Sequence, residues 1–199
     1  MLYFLGKYIL LWPFIGLFLR PKVLGWNNLK FKGGAIIISN HWSLPDPVFL
    51  AVICPRWIHF MAKKEIFATG IGRLFFGKLL LAFPVDRKKP DIKSVKYAME
   101  LLREGKVFGI FPEGRRSTTR RMDRFEKGAA FLALKAGVPV IPVYSDPYGL
   151  KKWKLRYAVG EAIDPVKATE GREGKPVDVL TEILEDRMQQ LRKSLEEQD

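Results

Sequence analysis

The feature that most constrains this fold is an apolar run that ends in a polar turn and is followed by a short helix. Residues 35–38 (Ala-Ile-Ile-Ile) predict a buried strand, and residues 48–53 predict a helix. The turn between them contains Asn40, His41 and Asp46. In open α/β sheets, ligands bind at the carboxyl ends of strands. We therefore expect this turn to form part of a functional site.

Strand-like and helix-like segments alternate along the rest of the chain. Further strands are predicted at 57–61, 83–85, 107–111, 138–143 and 154–159, and helices at 72–81, 91–104, 128–136 and 177–195. The segment 164–176 predicts a flexible loop. This alternation favours an α/β fold, with a mixed, largely parallel β-sheet covered by helices on both faces. We expect an N-terminal segment of residues 1–22 and one domain of residues 23–199.

The N-terminal segment 2–19 is apolar except at Lys7. As a helix it would extend for about 27 Å, close to the hydrocarbon thickness of a bilayer. Three interpretations stay open: a spanning helix, a helix lying in the interface and a core helix. A membrane anchor is favoured, because helices of soluble proteins are rarely apolar on every face. Basic residues follow from Arg20 onward, so we expect the domain at the cytoplasmic face of the cell membrane.

The net charge of +13 predicts a polyanionic partner, which could be nucleic acid, anionic lipid headgroups or a phosphorylated substrate. Residues 170–199 hold five basic and nine acidic side chains, so residues 1–169 carry +17. No recognised motif supports nucleic-acid binding, and we expect none. Cys54 is the single cysteine, which excludes an intrachain disulfide and a cysteine–histidine zinc cluster.

Three predicted strand ends carry polar loops, at 40–46, 86–87 and 113–116. Together they would combine a histidine, carboxylates and several arginines. Histidine takes a proton near neutral pH, and a carboxylate on its far nitrogen fixes the tautomer. No serine stands in a nucleophile-elbow pattern, so the base would activate a hydroxyl of the substrate itself. The arginines predict a phosphate on that substrate, because guanidinium binds phosphate bidentately.

Each of these residues also has a structural interpretation. Asp46 before Pro47 is a favourable helix N-cap with proline at N1, which alone would explain both residues. Arg87 also fits a solvated loop, and Glu113 fits an ion pair with a neighbouring arginine. His59 is the second histidine, and we expect it in the core or at an edge.

The ordered set of motifs resembles the glycerolipid acyltransferase family, in particular 1-acylglycerol-3-phosphate acyltransferases. Residues 40–46 match its Asn-His-x4-Asp motif, and residues 111–117 resemble Phe-Pro-Glu-Gly-Thr-Arg-Ser. The other matching segments are 25–29, 64–72, 84–87, 125–128 and 138–143. Order and spacing agree over residues 35–143. The departure is Arg115, where the family usually has threonine, and this puts the fine acceptor preference in doubt.

The resemblance implies a role for each matching residue. His41 would be the general base, with Asp46 as its partner, and residues 138–143 would help to shape the acyl-donor site. The expected substrate-binding residues, several of them for the acceptor phosphate, are Asn40, Lys64, Arg87, Glu113, Gly114, Arg115, Arg116 and Ser117. No metal is expected.

The resemblance also implies a reaction. An acyl thioester, either acyl-CoA or acyl-acyl carrier protein (acyl-ACP), would acylate the sn-2 hydroxyl of 1-acylglycerol 3-phosphate (lysophosphatidic acid). The product would be phosphatidic acid, for phospholipid biosynthesis, with no cofactor beyond the thioester co-substrate. The expected partners are these substrates and membrane phospholipids. Two alternatives stay open: another lysophospholipid or glycerol-phosphate acceptor, and a noncatalytic peripheral protein that binds anionic lipid.

Overall fold

The structure is a computed structural model that describes residues 13, 15–79, 81–85, 92–148 and 154–198. Its central element is a β-sheet. Within these ranges seven strands lie in the order β1-β7-β6-β2-β5-β3-β4. Their bounds are β1 Lys22–Leu24, β2 Ala35–Ser39, β3 Ile58–Lys63, β4 Ala82–Val85, β5 Val107–Ile110, β6 Val140–Ser145 and β7 Arg156–Val159.

The sheet is mixed and largely parallel, which confirms the sheet and α/β class that were predicted. Strands β4, β3, β5, β2 and β6 are parallel neighbours, whereas β7 runs antiparallel to β6. Strand β1 pairs with β7 in parallel, so these two strands run opposite to the other five. The five parallel strands therefore bring their carboxyl ends, and the loops that follow them, to one edge of the sheet.

Helices cover both faces of the sheet. The five α-helices that we number are α1 Asp46–Ile53, α2 Ile92–Arg103, α3 Gly128–Ala136, α4 Pro165–Thr169 and α5 Pro176–Glu196. The other helical segments are Ile15–Leu19, Trp26–Leu29, Lys64–Ala68, Gly70–Gly72 and Arg73–Leu79.

Strand β2 shows how the alternation of side chains divides the core. Ala35 and Ile37 pack in one cluster with α1, and Ile36 and Ile38 pack in a second cluster with α2, α3 and α5. All four side chains are fully buried. Burial of each isoleucine stabilises the fold by about 1.5–3 kcal/mol. A strand buried on both faces thus fixes the origin of the polar turn that follows it.

The differences from the sequence-based prediction include one strand and one helix. Strand β1 was not predicted, because three residues are too short to show a periodicity. The predicted flexible loop 164–176 is wrong over Pro165–Thr169, which form α4. The Asp164 carboxylate caps that helix by accepting hydrogen bonds from the amides of Val166 at 3.0 Å and Lys167 at 3.1 Å.

The predicted anchoring segment 2–19 falls mostly outside the described residues, which begin with Pro13 and continue from Ile15. Residues Ile15–Leu19 form a helical turn. Ile15 and Leu19 are buried in the α1-side cluster, whereas Leu17 is exposed. No helix in the described part of the chain is both long enough and apolar enough to cross a bilayer.

Candidate active site

The loops that follow β2 and β5 lie against each other at the carboxyl edge of the sheet. The amide of His41 donates to Glu113 Oε1 at 2.9 Å, and the amide of Ser117 donates to the His41 carbonyl at 2.9 Å. Two of the three predicted loops therefore form one site. The third, with Arg87, lies outside the described residues.

His41 is held by Asp46 through a direct side-chain contact. The distance from His41 Nδ1 to Asp46 Oδ2 is 3.0 Å. The same oxygen accepts from the amides of Trp42 at 2.6 Å and Ser43 at 2.7 Å, and the Ser43 hydroxyl donates to Oδ1. Because a carboxylate only accepts hydrogen bonds, we assign the imidazole proton to Nδ1. This leaves Nε2 as the nitrogen that can take a proton.

Asp46 is not the N-cap of α1, although the sequence allowed that interpretation. The N-cap is Pro45, whose carbonyl accepts from the amides of Val48 at 2.9 Å and Phe49 at 3.0 Å. Asp46 is the first helical residue, and its carboxylate points back to residues 41–43. The carboxylate therefore orders the turn that carries His41. Ser43 was not among the predicted site residues, although it lies inside the recognised motif.

The His41 ring is also fixed on its face. It stacks on Phe111, with 4.3 Å between ring centroids and 24° between planes. Phe111 in turn stacks on Phe60, with centroids 6.1 Å apart. One edge of the imidazole is thus bound to Asp46 and one face lies on an aromatic surface, which leaves few orientations for Nε2.

A large cavity opens beside His41 where β3 and β5 separate. These strands pair as far as Phe60 with Gly109, whereas β3 continues to pair with β4 as far as Lys63. A side chain at Gly109 would collide with the Phe60 ring, so glycine is needed for the close pairing below the cavity. The volume is about 1110 Å³. Apolar residues on its wall include Phe60, Met61, Phe76, Val95, Phe108, Ile110, Phe111 and Leu132.

Basic side chains from the loop after β5 line the same cavity. The predicted residues Gly114, Arg115, Arg116 and Ser117 all contribute to the wall. Arg115 Nη2 also pairs with Asp123 Oδ2 at 2.9 Å. Guanidinium groups at the wall of an apolar cavity can hold the anionic end of an amphipathic ligand.

Arg120 and Lys63 also line the cavity, and neither was in the predicted set. Arg120 has a positive φ of 55°, and its guanidinium lies 4.9 Å from the centroid of the Tyr148 ring. The basic cluster 120–124 was visible in the sequence, but no motif identified which of its members would reach the site. Lys64 was predicted to bind substrate, yet the cavity wall contains its neighbour Lys63 instead.

Asn40, which was predicted to bind substrate, forms its side-chain hydrogen bonds within the protein. Its side chain is fully buried, and its amide nitrogen donates to the carbonyl and the hydroxyl oxygen of Ser145, both at 3.0 Å. Its Oδ1 accepts from the Ser145 amide at 2.8 Å. These bonds join the end of β2 to the end of β6. Asn40 therefore joins these two strand ends beneath the site, and its contact with substrate stays a prediction.

Glu113 also positions the site and does not line the cavity. Glu113 is 4% exposed, and its two carboxylate oxygens accept hydrogen bonds from the amides of His41 and Asp123, both at 2.9 Å. Burial raises the pKa of Glu113, and the two amide hydrogen bonds partly oppose that rise. A carboxylate used in this way joins two loops by their backbones. Glu113 therefore forms a structural link in this structure, and its contact with the acceptor phosphate stays a prediction.

Replacement of Glu113 with glutamine is expected to lower kcat while changing the pH dependence of stability. Only one oxygen remains to accept from two amides, so the His41 loop or the Asp123 loop loses its partner. The pKa of Glu113 in the folded protein is raised above its usual value of 4.5. Ionisation of Glu113 therefore lowers the stability of the fold as the pH rises from 4.5 through the raised pKa.

The free energy of unfolding should therefore fall from pH 4 to pH 7 in the wild type relative to Glu113→Gln. Urea denaturation at both pH values measures this difference. A difference that does not change with pH would contradict the assignment.

Comparisons with known proteins agree with one another. The family model described as Acyltransferase matches residues 20–146. The chain is 34% identical over 183 residues to the 1-acyl-sn-glycerol-3-phosphate acyltransferase of Bacillus subtilis, which covers 88% of this chain and 90% of that relative. Human 1-acyl-sn-glycerol-3-phosphate acyltransferase beta is 31% identical over 142 residues, covering 67% of this chain and 50% of its own length.

A solved structure is similar as well. The crystal structure of the 1-acyl-sn-glycerophosphate (LPA) acyltransferase from Thermotoga maritima matches with a TM-score of 0.68 at 25% identity. The match covers 96% of this chain and 81% of that chain. The likeness thus extends beyond the segment that the family model matches.

Proposed function

The chain belongs to the acyltransferase family, and from that membership we propose that it acylates the sn-2 hydroxyl of 1-acylglycerol 3-phosphate to give phosphatidic acid. The relatives from Bacillus subtilis and human are named for this activity. The observation that carries the proposal is the contact of His41 Nδ1 with Asp46 Oδ2, in which the imidazole itself lies on the wall of a large, arginine-bearing apolar cavity.

The cavity suits a ligand with a fatty chain and a phosphate. Its volume of about 1110 Å³ is slightly above the usual range for ligand pockets, and aromatic and aliphatic side chains dominate its wall. Arg115 and Arg116 supply guanidinium groups for a phosphate that must stay solvated or paired. A single-chain lysophospholipid with a phosphate headgroup has both properties.

The reaction follows from the orientation of the imidazole. His41 Nε2 takes the proton of the acceptor hydroxyl as that oxygen attacks the thioester carbonyl. The tetrahedral intermediate then collapses, the C–S bond breaks, and the imidazolium returns the proton to the thiolate. One ester and one free thiol are formed from one alcohol and one thioester. Asp46 stabilises the imidazolium between these two steps.

No protein nucleophile is required by this scheme. The Ser43 hydroxyl donates to Asp46, and the Ser117 hydroxyl donates to the Arg121 carbonyl at 2.8 Å. Cys54 is buried and does not contribute to the cavity wall. Direct attack by the acceptor hydroxyl therefore needs the fewest additional groups.

The donor is an acyl thioester carried by coenzyme A or by acyl carrier protein. Both are acidic, and residues 1–169 carry +17, so the charge of the chain favours either. The same charge attracts anionic lipid headgroups, at about 1 kcal/mol per nearby basic residue. Because acceptor and product are both lipids, we place the protein at the cytoplasmic face of the membrane, in contact with phospholipids.

A thiol-release assay tests the function. The purified full-length chain is mixed with acyl-CoA or acyl-ACP and with lysophosphatidic acid, glycerol 3-phosphate or lysophosphatidylcholine. We expect thiol release and phosphatidic acid with lysophosphatidic acid, at a rate at least about tenfold above either other acceptor. Preference for another acceptor would contradict the proposed substrate. Vesicle binding without thiol release from either donor would favour the noncatalytic alternative.

A further inference from the structure

We define residues 114–124 as the arginine loop. Its high density of positive charge disfavours any single fixed conformation. It contains Arg115, Arg116, Arg120, Arg121 and Arg124, with Asp123 as its only acidic residue. Like charges this close repel one another. The loop needs anchors if Arg115, Arg116 and Arg120 are to stay at the cavity wall.

The first part of the loop is anchored to the His41 turn. The amide of Ser117 donates to the His41 carbonyl at 2.9 Å, and the Ser117 hydroxyl donates to the Arg121 carbonyl at 2.8 Å. These bonds fix one end and the middle of the loop relative to the imidazole.

Two carboxylates anchor the returning end from different parts of the fold. Glu113 Oε2 accepts from the Asp123 amide at 2.9 Å, and Glu185 Oε1 accepts from the Phe125 amide at 2.5 Å. The Phe125 side chain is buried in the core cluster that also contains α3 and α5 residues. Hydrogen bonds to a charged acceptor are among the stronger ones, so these two contacts define where the loop ends.

Glu185 is presented by a rigid element. It lies on α5, where Leu180, Leu184 and Met188 are 0–1% exposed and fix the helix against the sheet. Helix α5 begins at Pro176, beyond the residues 20–146 that the family model matches. A second contact from this helix, Lys127 Nζ to Asp178 Oδ1 at 2.6 Å, is largely exposed and contributes less.

We propose that Glu185 is a positioning residue that sets the arginine loop for the phosphate of the acceptor. It touches no substrate and acts through the backbone of Phe125. The inference rests on the proposed function, because it assumes that the loop arginines bind that phosphate. It assigns to the C-terminal helix a part in substrate affinity that the motif residues alone do not provide.

The test compares four variants by steady-state kinetics with lysophosphatidic acid and acyl thioester. Glu185→Ala removes the oxygen that accepts the hydrogen bond from the Phe125 amide, and Glu185→Gln keeps an uncharged oxygen as the acceptor. Glu182→Ala is the matched control, since Glu182 is exposed on the same helix. Arg116→Ala serves as the reference for direct loss of a phosphate ligand.

We expect Glu185→Ala to raise the acceptor KM roughly tenfold, the size of effect that follows loss of a hydrogen bond to a charged group. Its thioester KM and kcat should stay within about threefold of wild type, as for Arg116→Ala. Glu185→Gln should restore the acceptor KM to within about threefold, and Glu182→Ala should not change it. An equal rise in both KM values, or no difference between Glu185→Ala and Glu182→Ala, overturns the proposal.

Hydrogen exchange separates this proposal from the proposed function, because it needs no turnover. The peptide that contains the Phe125 amide should exchange faster in Glu185→Ala than in Glu185→Gln, while α5 stays protected. Unchanged exchange there overturns the positioning role, even if the wild type proves active. If wild type shows no turnover with lysophosphatidic acid, the proposed function fails. Hydrogen exchange alone then tests whether Glu185 anchors the loop.

If Glu185→Ala does not fold, Glu185→Asp replaces it, because a side chain shorter by one methylene withdraws the oxygen from the Phe125 amide. Faster exchange and a higher acceptor KM in Glu185→Asp than in Glu185→Gln support the proposal. The reverse order overturns it.

Discussion

Replacement of His41 with alanine is expected to lower kcat for phosphatidic acid formation by roughly 10²–10⁴-fold, the usual contribution of a general base. The ring is the only imidazole on the described cavity wall, and Asp46 fixes its Nδ1, so no neighbouring group can take over at Nε2. His41→Gln should lower kcat by a similar factor, because the glutamine amide fills the space of the ring but does not take up a proton.

The control is the second histidine of the chain. His59 lies in β3, away from the cavity wall, and burial lowers its pKa, so it is neutral at pH 7. His59→Gln should therefore keep kcat within a few fold of wild type.

Circular dichroism and thermal unfolding of both variants check the fold, since alanine at position 41 also removes a ring that stacks on Phe111. A folded His41→Ala protein that retains a tenth or more of the wild-type rate would show that His41 is not the base.

Replacement of Asp46 with asparagine is expected to lower kcat by about 10²–10⁴-fold with little loss of stability. Asparagine can place its oxygen where Oδ2 stands and still accept from the amides of Trp42 and Ser43. The turn should therefore persist while the charge that stabilises the imidazolium is lost. Asp46→Ala should lose the same activity and also lower the thermal midpoint, because those two amides lose their acceptor.

The matched control is Asp164→Asn, which changes an exposed helix-capping carboxylate far along the chain. Asparagine caps helices about as well as aspartate, so both activity and stability should be preserved. Full activity in a folded Asp46→Asn protein would show that this carboxylate serves the turn alone and not the chemistry.

The strand, the turn and the histidine–aspartate contact could be predicted because their determinants are local. Asp46 follows His41 by five positions, and a buried β2 followed by α1 leaves a short path between them. The uninterrupted apolar run of β2 in the sequence is itself the pattern of a strand that is buried on both faces. The parallel arrangement followed from the alternation of strands and helices.

The roles of Asn40 and Glu113 could not be predicted because they depend on distant partners. Asn40 bonds to Ser145, 105 positions away, and Glu113 bonds to the His41 amide, 72 positions away. A motif identifies a polar residue, but it does not show whether backbone groups or a ligand use its hydrogen-bonding capacity. Glu185 carried no signal at all, since one acidic residue on an amphipathic helix is typical of a solvated face.

The edge strand β1 has a consequence for how this protein is made. Its partner β7 is encoded far downstream, and the hydrogen bond from Asn28 Nδ2 to the Val159 carbonyl joins positions 131 residues apart. At about 5–20 residues per second, the ribosome needs roughly 7–26 s to synthesise that interval. During this time β1 lacks the strand with which it pairs. We therefore expect β1 of the nascent chain to meet the ribosome surface, a chaperone or a membrane before its partner strand has been made.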